Sequence, residues 1–126
     1  MGDFEKLFEE YGGDYNVTMT RFMGKRSVYM KIFGMLFQDE NLQVLGTALR
    51  AGDLDTAFMA AHTLKGVTGN LGLTPYYDAV YPMVEPLRNR EEGMDYLEMY
   101  QRVLEEFAKV EALWGELQAV ALQVTE

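Results

Sequence analysis

One short segment of the chain contains the side chains that are best suited to take part in a reaction. Residues 60–73 read AAHTLKGVTGNLGL and contain His62, the only histidine, with Lys65 three positions later and Gly66 four positions later. On a helix, side chains three and four positions apart share a face, so these residues would lie together. A neutral imidazole is a nucleophile that can accept a phosphoryl group on a ring nitrogen. A lysine one turn away would then balance the charge of the phosphate.

Other kinds of reactive site fit the composition less well. One histidine and no cysteine leave only carboxylates as further metal ligands, and Met59 stands where the Glu-x-x-His pattern of di-iron bundles needs a glutamate. A hydrolytic triad needs a nucleophile beside its base, but the only serine, Ser27, lies in a different segment from His62. The glycines of GVTGNLG recur every third residue and follow no strand, so they do not form a dinucleotide-binding loop.

A helical wheel sorts the residues around His62 onto two faces. The far face is small and aliphatic, which suits close helix packing, and consists of Ala57, Ala60, Leu64, Val67 and Leu71. The near face is predicted to bind a partner. Besides His62, Lys65 and Gly66 it consists of Asp55, Phe58, Met59, Gly69 and Leu73. Its glycines weaken the helix but leave room for another protein's backbone. Packing of Phe58 or Met59 against an adjoining helix is the alternative.

Hydrophobic periodicity predicts helices throughout the N-terminal half. A short helix is predicted to begin at Asp3, and a second short helix follows the capping residue Asp14. Ser27 is predicted to cap a longer apolar run that reaches Gly52. The QDEN stretch inside this run leaves open one kinked helix or two helices, the second of them capped by Asp39.

The C-terminal half is predicted to contain three more helices. Asp53 caps the helix that carries the candidate site, and this helix ends near Gly72. Thr74, followed by a proline, marks the next start. Pro82 and Pro86 fall inside that helix and predict a kink or a restart just before the first of them, because an interior proline costs about 3 kcal/mol.

The last predicted helix is the longest and sets the fold class. It begins at Tyr96, and its apolar residues step by alternating threes and fours. The sequence shows no strand alternation and no internal repeat. Four longer helices with short connections predict an all-α fold, an antiparallel four-helix bundle with one or two short N-terminal helices. We expect a single domain over residues 1–126, with the bundle core at about 27–123.

Length, charge and composition narrow the classes of function. A chain of 126 residues can bury a core of its own. The net charge of -9 would repel nucleic acid phosphates, so nucleic acid is not expected as a partner. No apolar run approaches the roughly 18 residues that span a bilayer, and the N-terminus carries acids where a secretory signal carries bases. The absence of cysteine fits a reducing compartment, and we expect a cytoplasmic protein. We also expect it to be a monomer that does not bind membranes.

At the candidate site the sequence resembles the histidine-containing phosphotransfer (Hpt) family. The family's H-x-x-K-G motif stands here as His62, Lys65 and Gly66 within AAHTLKG, followed by GNLGL, and the resemblance covers roughly residues 12–117. It implies a four-helix bundle that presents a phosphorylatable histidine to the receiver domains of response regulators and hybrid histidine kinases, in a multistep two-component relay. By the same resemblance Lys65 assists the phosphorylated state, and Gly66 leaves room for the receiver.

The resemblance also implies how catalysis is divided between the partners. The chain would be a phosphocarrier and not an enzyme, without cofactor or metal of its own, while the receiver's carboxylates and magnesium ion supply most of the catalysis. One position departs from the family pattern. Several members carry a glutamine on the following helix that hydrogen-bonds the histidine, and Val84, beside Glu85, stands at that place here.

Two other functions remain open from the sequence. A helical docking or scaffold module would bind a partner without phosphoryl chemistry, although degenerate modules would lack the histidine that this chain keeps. The chain could also be the phospho-accepting domain of a larger hybrid or chemotaxis-type kinase. Met1 and the short leading helix favour a free-standing protein over this alternative. The identity of the partners depends on a surface and not on a motif.

Overall fold

The computed structural model describes residues 2–121, which form seven α-helices and one 3-10 turn. These elements are α1 (Asp3–Tyr11), α2 (Tyr15–Arg21), α3 (Arg26–Met35), the 3-10 turn (Leu36–Gln38), α4 (Asn41–Ala51), α5 (Leu54–Asn70), α6 (Thr74–Arg88) and α7 (Tyr96–Ala121). No strand occurs within the described range, so the predicted all-α fold is confirmed. The last residues of the predicted bundle core, 122–123, lie outside the described residues.

Helices α4 to α7 form the four-helix bundle. Helix α5 packs mainly against α4 and α6, and α7 packs against α6 and α4. Two residues connect α4 to α5 and three connect α5 to α6, and such short connections make neighbouring helices antiparallel. Helix α1 lies against α7, so the N-terminal helices cover one end of the bundle. The apolar faces of all seven helices meet in one continuous core.

Two of the predicted helix caps are present and set where α2 and α5 begin. The Asp14 side chain accepts a hydrogen bond from the Val17 amide (3.1 Å), and the Asp53 side chain accepts one from the Thr56 amide (3.1 Å). The Thr56 hydroxyl donates to the second oxygen of Asp53 (2.6 Å). The bonds from the hydroxyl and the amide of Thr56 hold the pKa of the Asp53 carboxyl below its ordinary value. Both caps satisfy amides that the first turn of a helix leaves without a partner.

Two predictions about the third helix are corrected or decided by the structure. The predicted cap at Ser27 is wrong, because Lys25 occupies the capping position and Ser27 lies inside α3. A left-handed residue, Gly24 (φ 72°), ends the preceding turn and returns the chain to helix before the serine is reached. The apolar run is two helices and not one. Helix α4 starts afresh at Asn41, with Glu40 and not the predicted Asp39 at the capping position, and the Asp39 side chain accepts a hydrogen bond from the Asn41 amide (2.7 Å).

Helix α6 is continuous through both of its interior prolines, so of the two predicted alternatives, a kink or a restart, the restart is wrong. Each proline lacks an amide hydrogen and leaves the carbonyl four residues earlier without its helical donor. Pro82 is exposed and Pro86 is half-buried. Asp78, whose carbonyl has no helical donor because residue 82 is a proline, is also exposed. Water can satisfy such carbonyls on the outer side of the helix. The inner side of α6 is apolar and buried, with Tyr76, Val80, Met83, Val84 and Leu87.

The turn between α5 and α6 is held by the N-terminal helices. Gly72 has a left-handed backbone (φ 69°) and lies so close to α2 that an added methyl group would overlap the Thr18 hydroxyl. The Arg21 guanidinium donates to the last carbonyls of α5 (2.8 and 3.3 Å). The buried Tyr29 hydroxyl of α3 donates to the carbonyl of Leu71 (2.7 Å). Helices α2 and α3 thus fix the C-terminal end of the helix that carries His62.

We expect Gly72→Ala to lower the free energy of unfolding by about 2–4 kcal/mol, because alanine resists the left-handed backbone and its methyl group overlaps Thr18. Denaturant titration measures this loss. Gly52→Ala is the matched control, since Gly52 also has a left-handed backbone (φ 71°) but has open space around it. The control should lose about 1 kcal/mol. Equal losses in the two variants would contradict the close packing of α2 on this turn.

Candidate functional site

His62 lies on the outer side of α5 with its side chain exposed to solvent. The opposite side of the helix is buried, as the wheel predicts. Ala57, Ala60 and Leu64 are fully buried and Val67 is half-buried, and Leu71, which follows the last residue of α5, is also fully buried. The buried side is small and aliphatic, which lets α4 and α6 approach α5 closely and leaves the imidazole facing away from the core.

The imidazole packs against the ring of Phe58, one turn earlier on α5. The two ring centroids are 5.5 Å apart and the ring planes meet at 28°, which is a stacked arrangement. Phe58 is half-buried, and the guanidinium carbon of Arg88 lies 4.7 Å from its ring centroid. Among residues 2–121 the hydrogen-bonded side chains of α5 are three threonines and Asp55, and the imidazole nitrogens bond to none of the described groups. The stack with Phe58 therefore orients the ring while its nitrogens stay available.

Lys65 lies one turn after His62 and leans towards α6. Its Nζ atom is 5.3 Å from the ring centroid of Tyr81, a cation–π contact at an exposed position. Tyr81 in turn packs against Tyr77, with ring centroids 5.7 Å apart. No carboxylate within the described range forms an ion pair with this lysine. Its positive charge is therefore available to an anion on the same face.

The two glycines beside the histidine have different surroundings. A Cβ atom placed on Gly66 would meet no atom within 4 Å, so this glycine leaves open surface next to the imidazole. A Cβ atom on Gly69 would meet the ring of Tyr77 at 3.3 Å. Gly69 therefore lets α6 pack close to α5. This contact explains the glycine at position 69, and a helical wheel of α5 alone does not show it.

The remaining residues of the predicted partner-binding face divide into exposed and buried positions. Met59 is 65% exposed, and Asp55 is exposed and accepts two hydrogen bonds from Arg90 (2.8 Å each). The assignment of Leu73 to this face is wrong, because its side chain is fully buried. Helix α5 ends at Asn70, so the wheel does not extend to Leu73, which follows the left-handed Gly72 and directly precedes α6.

We call the corrected surface the His62 face. It consists of Asp55, Phe58, Met59, His62, Lys65, Gly66 and Gly69, all of them on α5. A groove of about 570 Å³ adjoins it between α2 and α5. The groove is lined by Lys65, Gly66 and Gly69 and, across from them, by Val17 and Arg21 of α2. Val17 is 51% exposed, so α2 contributes apolar surface next to the face.

Helix α6 supplies two neighbours of the His62 face that sequence reasoning missed. Val84, the position at which the resemblance expects a glutamine, is 1% exposed and belongs to the core. Glu85 beside it is exposed and accepts a hydrogen bond from Arg88 (3.1 Å), within the same helix. Arg88 and Tyr81 instead contact residues of the His62 face. The sequence could have indicated these two residues, because both lie on the side of α6 that is opposite its apolar side.

Neither a metal site nor a membrane span is found in the described part of the chain. Within residues 2–121, no three side chains of histidine, cysteine, aspartate or glutamate gather as they would around a metal ion. None of the helices over the same range combines the length and the apolar character needed to cross a membrane.

Comparison with known protein families gives one match. The family model described as the Hpt domain matches residues 37–120, which are 84 of the 126 residues. The matched range starts in the 3-10 turn and includes α4, α5 and α6 in full and nearly all of α7, so it contains the whole His62 face. No curated protein and no solved structure matches the chain.

Proposed function

We propose, since this chain belongs to the Hpt domain family, that His62 is the residue on which it carries a phosphoryl group. Membership of the family gives the chain a phosphotransfer role in two-component signalling, as a phosphocarrier. The observation that supports His62 as the carrier is its position. It is the chain's only histidine, and its exposed imidazole lies on the outer side of α5 with nitrogens that no described group engages.

The proposed reaction is a transfer between an aspartate and an imidazole. A ring nitrogen of His62 attacks the phosphorus of an aspartyl phosphate on a receiver domain. The new N–P bond forms as the P–O bond to the aspartate breaks, the carboxylate leaves with the receiver, and the proton on the other ring nitrogen goes to solvent. The reverse transfer loads the aspartate of a second receiver, which makes the chain the intermediate of a multistep relay between hybrid kinases and response regulators.

The residues around His62 take different parts in this proposal. The Phe58 ring orients the imidazole for in-line attack, and the unpaired charge of Lys65 balances the phosphate. The open surface at Gly66 admits the receiver, which brings the carboxylates and the magnesium ion that stabilise the transferring group. The groove between α2 and α5 extends the docking surface beyond the His62 face.

Incubation of the protein with a panel of phosphorylated receivers tests the proposal. We expect acid-labile, alkali-stable label to appear on the chain from at least one receiver. We expect none from ATP alone, because the sequence has no glycine-rich nucleotide loop of a recognised spacing. Label that appears from ATP alone, or label that survives acid, would overturn the proposed chemistry. A receiver that binds tightly without transferring would instead favour a docking module.

Phe58→Ala is expected to lower the maximal transfer rate about tenfold, because the imidazole loses the stack that orients it. Met59→Ala is the matched control, since Met59 is exposed on the same helix and has no stacking contact with the imidazole ring. It should raise the receiver concentration needed for half-maximal rate and leave the maximal rate unchanged. Single-turnover transfer measured over a range of receiver concentrations separates the two effects. An unchanged maximal rate for Phe58→Ala would show that the stack has no positioning role.

A further inference from the structure

We propose that Tyr81 is a positioning residue for Lys65. Its ring holds the ammonium group of the lysine on the His62 face and away from Asp78, so that the positive charge is in place when the imidazole carries a phosphoryl group. This inference rests on the proposed function, in which Lys65 balances the phosphate. Tyr81 lies on α6 and acts only through the lysine.

The contact between Lys65 and Tyr81 joins α5 to α6. The Nζ atom lies 5.3 Å from the ring centroid, within the roughly 6 Å at which a cation and an aromatic face attract each other. At an exposed site, such a contact favours one position of the lysine by about two- to fivefold. Tyr81 is 55% exposed and Lys65 is half-buried, so the ammonium group stays at the surface. The ring therefore supplies an orientation that the flexible stem of the lysine lacks.

The Tyr81 ring is itself supported by its neighbour Tyr77. The two ring centroids are 5.7 Å apart and the ring planes meet at 31°. Tyr77 is half-buried and lies against α5 at Gly69, where a Cβ atom would come within 3.3 Å of its ring. Aromatic pairs at this separation attract each other beyond the effect of their buried area. Gly69 thus lets Tyr77 lie against α5, and Tyr77 limits how far the Tyr81 ring can turn away from Lys65.

Asp78 is the carboxylate that competes with the Tyr81 ring for Lys65. It lines the same groove as the lysine, is exposed, and forms no ion pair within residues 2–121. Two nearby acids are engaged elsewhere, because Asp14 caps α2 and Glu85 is in an ion pair within α6. Tyr81 lies one turn after Asp78 on α6, so the ring and the carboxylate are neighbours on one side of that helix. An exposed ion pair and an exposed cation–π contact are similar in strength, so loss of the ring would shift the lysine towards Asp78.

A lysine that is held by the ring can bind the phosphate without leaving the ring. Its ammonium group has three N–H donors, and an aromatic face engages only one side of it. A lysine that is paired with Asp78 has its charge cancelled and must break that pair first. We therefore expect the ring to raise the equilibrium constant for transfer to His62 by about two- to fivefold, the factor by which it favours the lysine position.

Phosphoryl exchange between a labelled receiver and the full-length protein tests this role. The exchange is run to equilibrium at concentrations where few complexes form, so that docking affinity does not contribute and only the stability of each phosphorylated partner counts. Tyr81→Leu keeps an apolar side chain but removes the ring, and it should lower the equilibrium constant about two- to fivefold. Tyr81→Phe is the matched control, because it keeps the ring and should retain the wild-type equilibrium constant.

The Asp78→Asn background separates competition for the lysine from a simple loss of contact. In this background Tyr81→Leu should cost less than it does in the wild-type chain, because the carboxylate that captures the lysine is gone. The methylene protons next to the Lys65 ammonium group provide a readout that needs no receiver. The Tyr81 ring should shift their NMR signals upfield in the wild-type protein and in Tyr81→Phe, and this shift should be lost in Tyr81→Leu.

The positioning role is overturned if Tyr81→Leu keeps the wild-type equilibrium constant, or if Tyr81→Phe loses as much as Tyr81→Leu. An equal loss from Tyr81→Leu with and without the Asp78 carboxylate would overturn the competition. A change in transfer rate with no change in equilibrium would show that Tyr81 only contacts the receiver. Failure of the proposed function is a different result, because no receiver would then label even the wild-type protein, while the NMR shift would still report whether the ring holds the lysine.

Discussion

The His62→Gln variant is expected to accept no phosphoryl group from any receiver, and to unfold at the same denaturant concentration as the wild-type protein. The first expectation follows because the chain has no second histidine. The second follows because the side chain is exposed, and surface substitutions usually change stability by less than about 0.5 kcal/mol. The measurements are the transfer assay with labelled receivers and a denaturant titration of the same preparation.

The matched control for this variant is Thr63→Gln, which places the same side chain at an exposed neighbouring position of α5. It should keep phosphoryl acceptance, since it leaves the imidazole in place. Label on the His62→Gln protein would mean that another residue carries the phosphoryl group. A lower unfolding midpoint would mean that His62 contributes to the core, in conflict with its exposed position.

Gly66→Gln is expected to move stability and transfer in opposite directions. Replacing a glycine inside a helix should raise the free energy of unfolding by up to about 1 kcal/mol. The new side chain meets no atom of the protein near its Cβ, so it projects into the space over which the receiver would approach. In-line transfer needs close approach, and we expect its rate to fall at least about 100-fold, with Gly66→Ala between the extremes. A thermal melt paired with a transfer time course measures both effects.

Gly115→Gln controls for the gain in helix stability. Gly115 lies inside α7 on open surface, and a Cβ atom there would also meet no atom within 4 Å. The control should become more stable by a similar amount and should transfer at the wild-type rate. If Gly66→Gln also transfers at the wild-type rate, the receiver does not approach over Gly66, and the His62 face is misplaced as a docking surface.

Much of the fold was predictable because most of its helices carry local signals. Asp14 and Asp53 cap helices through bonds within one turn, which a sequence pattern can report. Ser27 has the same capping chemistry, but the turn before α3 brings the chain into helix before that serine. The prolines of α6 are tolerated because they lie on its outer or half-buried side, and only the neighbours of a helix decide which side that is.

The candidate site was predictable as far as one helix determines it. The spacing of His62, Lys65 and Gly66 gives their common face on α5, and the structure keeps that arrangement. Leu73 is buried because of the turn that precedes it, and a helical wheel does not describe turns. The contact between Arg88 and Phe58 joins residues from two helices, so no spacing within either helix contains it.

The contacts between α2, α3 and the end of α5 have a consequence for local opening of the chain. A helix with glycines at two of its last five positions would fray in isolation, and its amide hydrogens would exchange quickly with solvent. Here Arg21 and Tyr29 tie that end down, and both precede residue 37, where the match to the Hpt domain begins. The segment before the matched domain thus joins the cooperative unit of the His62 helix. A receiver that docks on the His62 face, as proposed, would therefore meet a surface that is already ordered and would lose less entropy on binding.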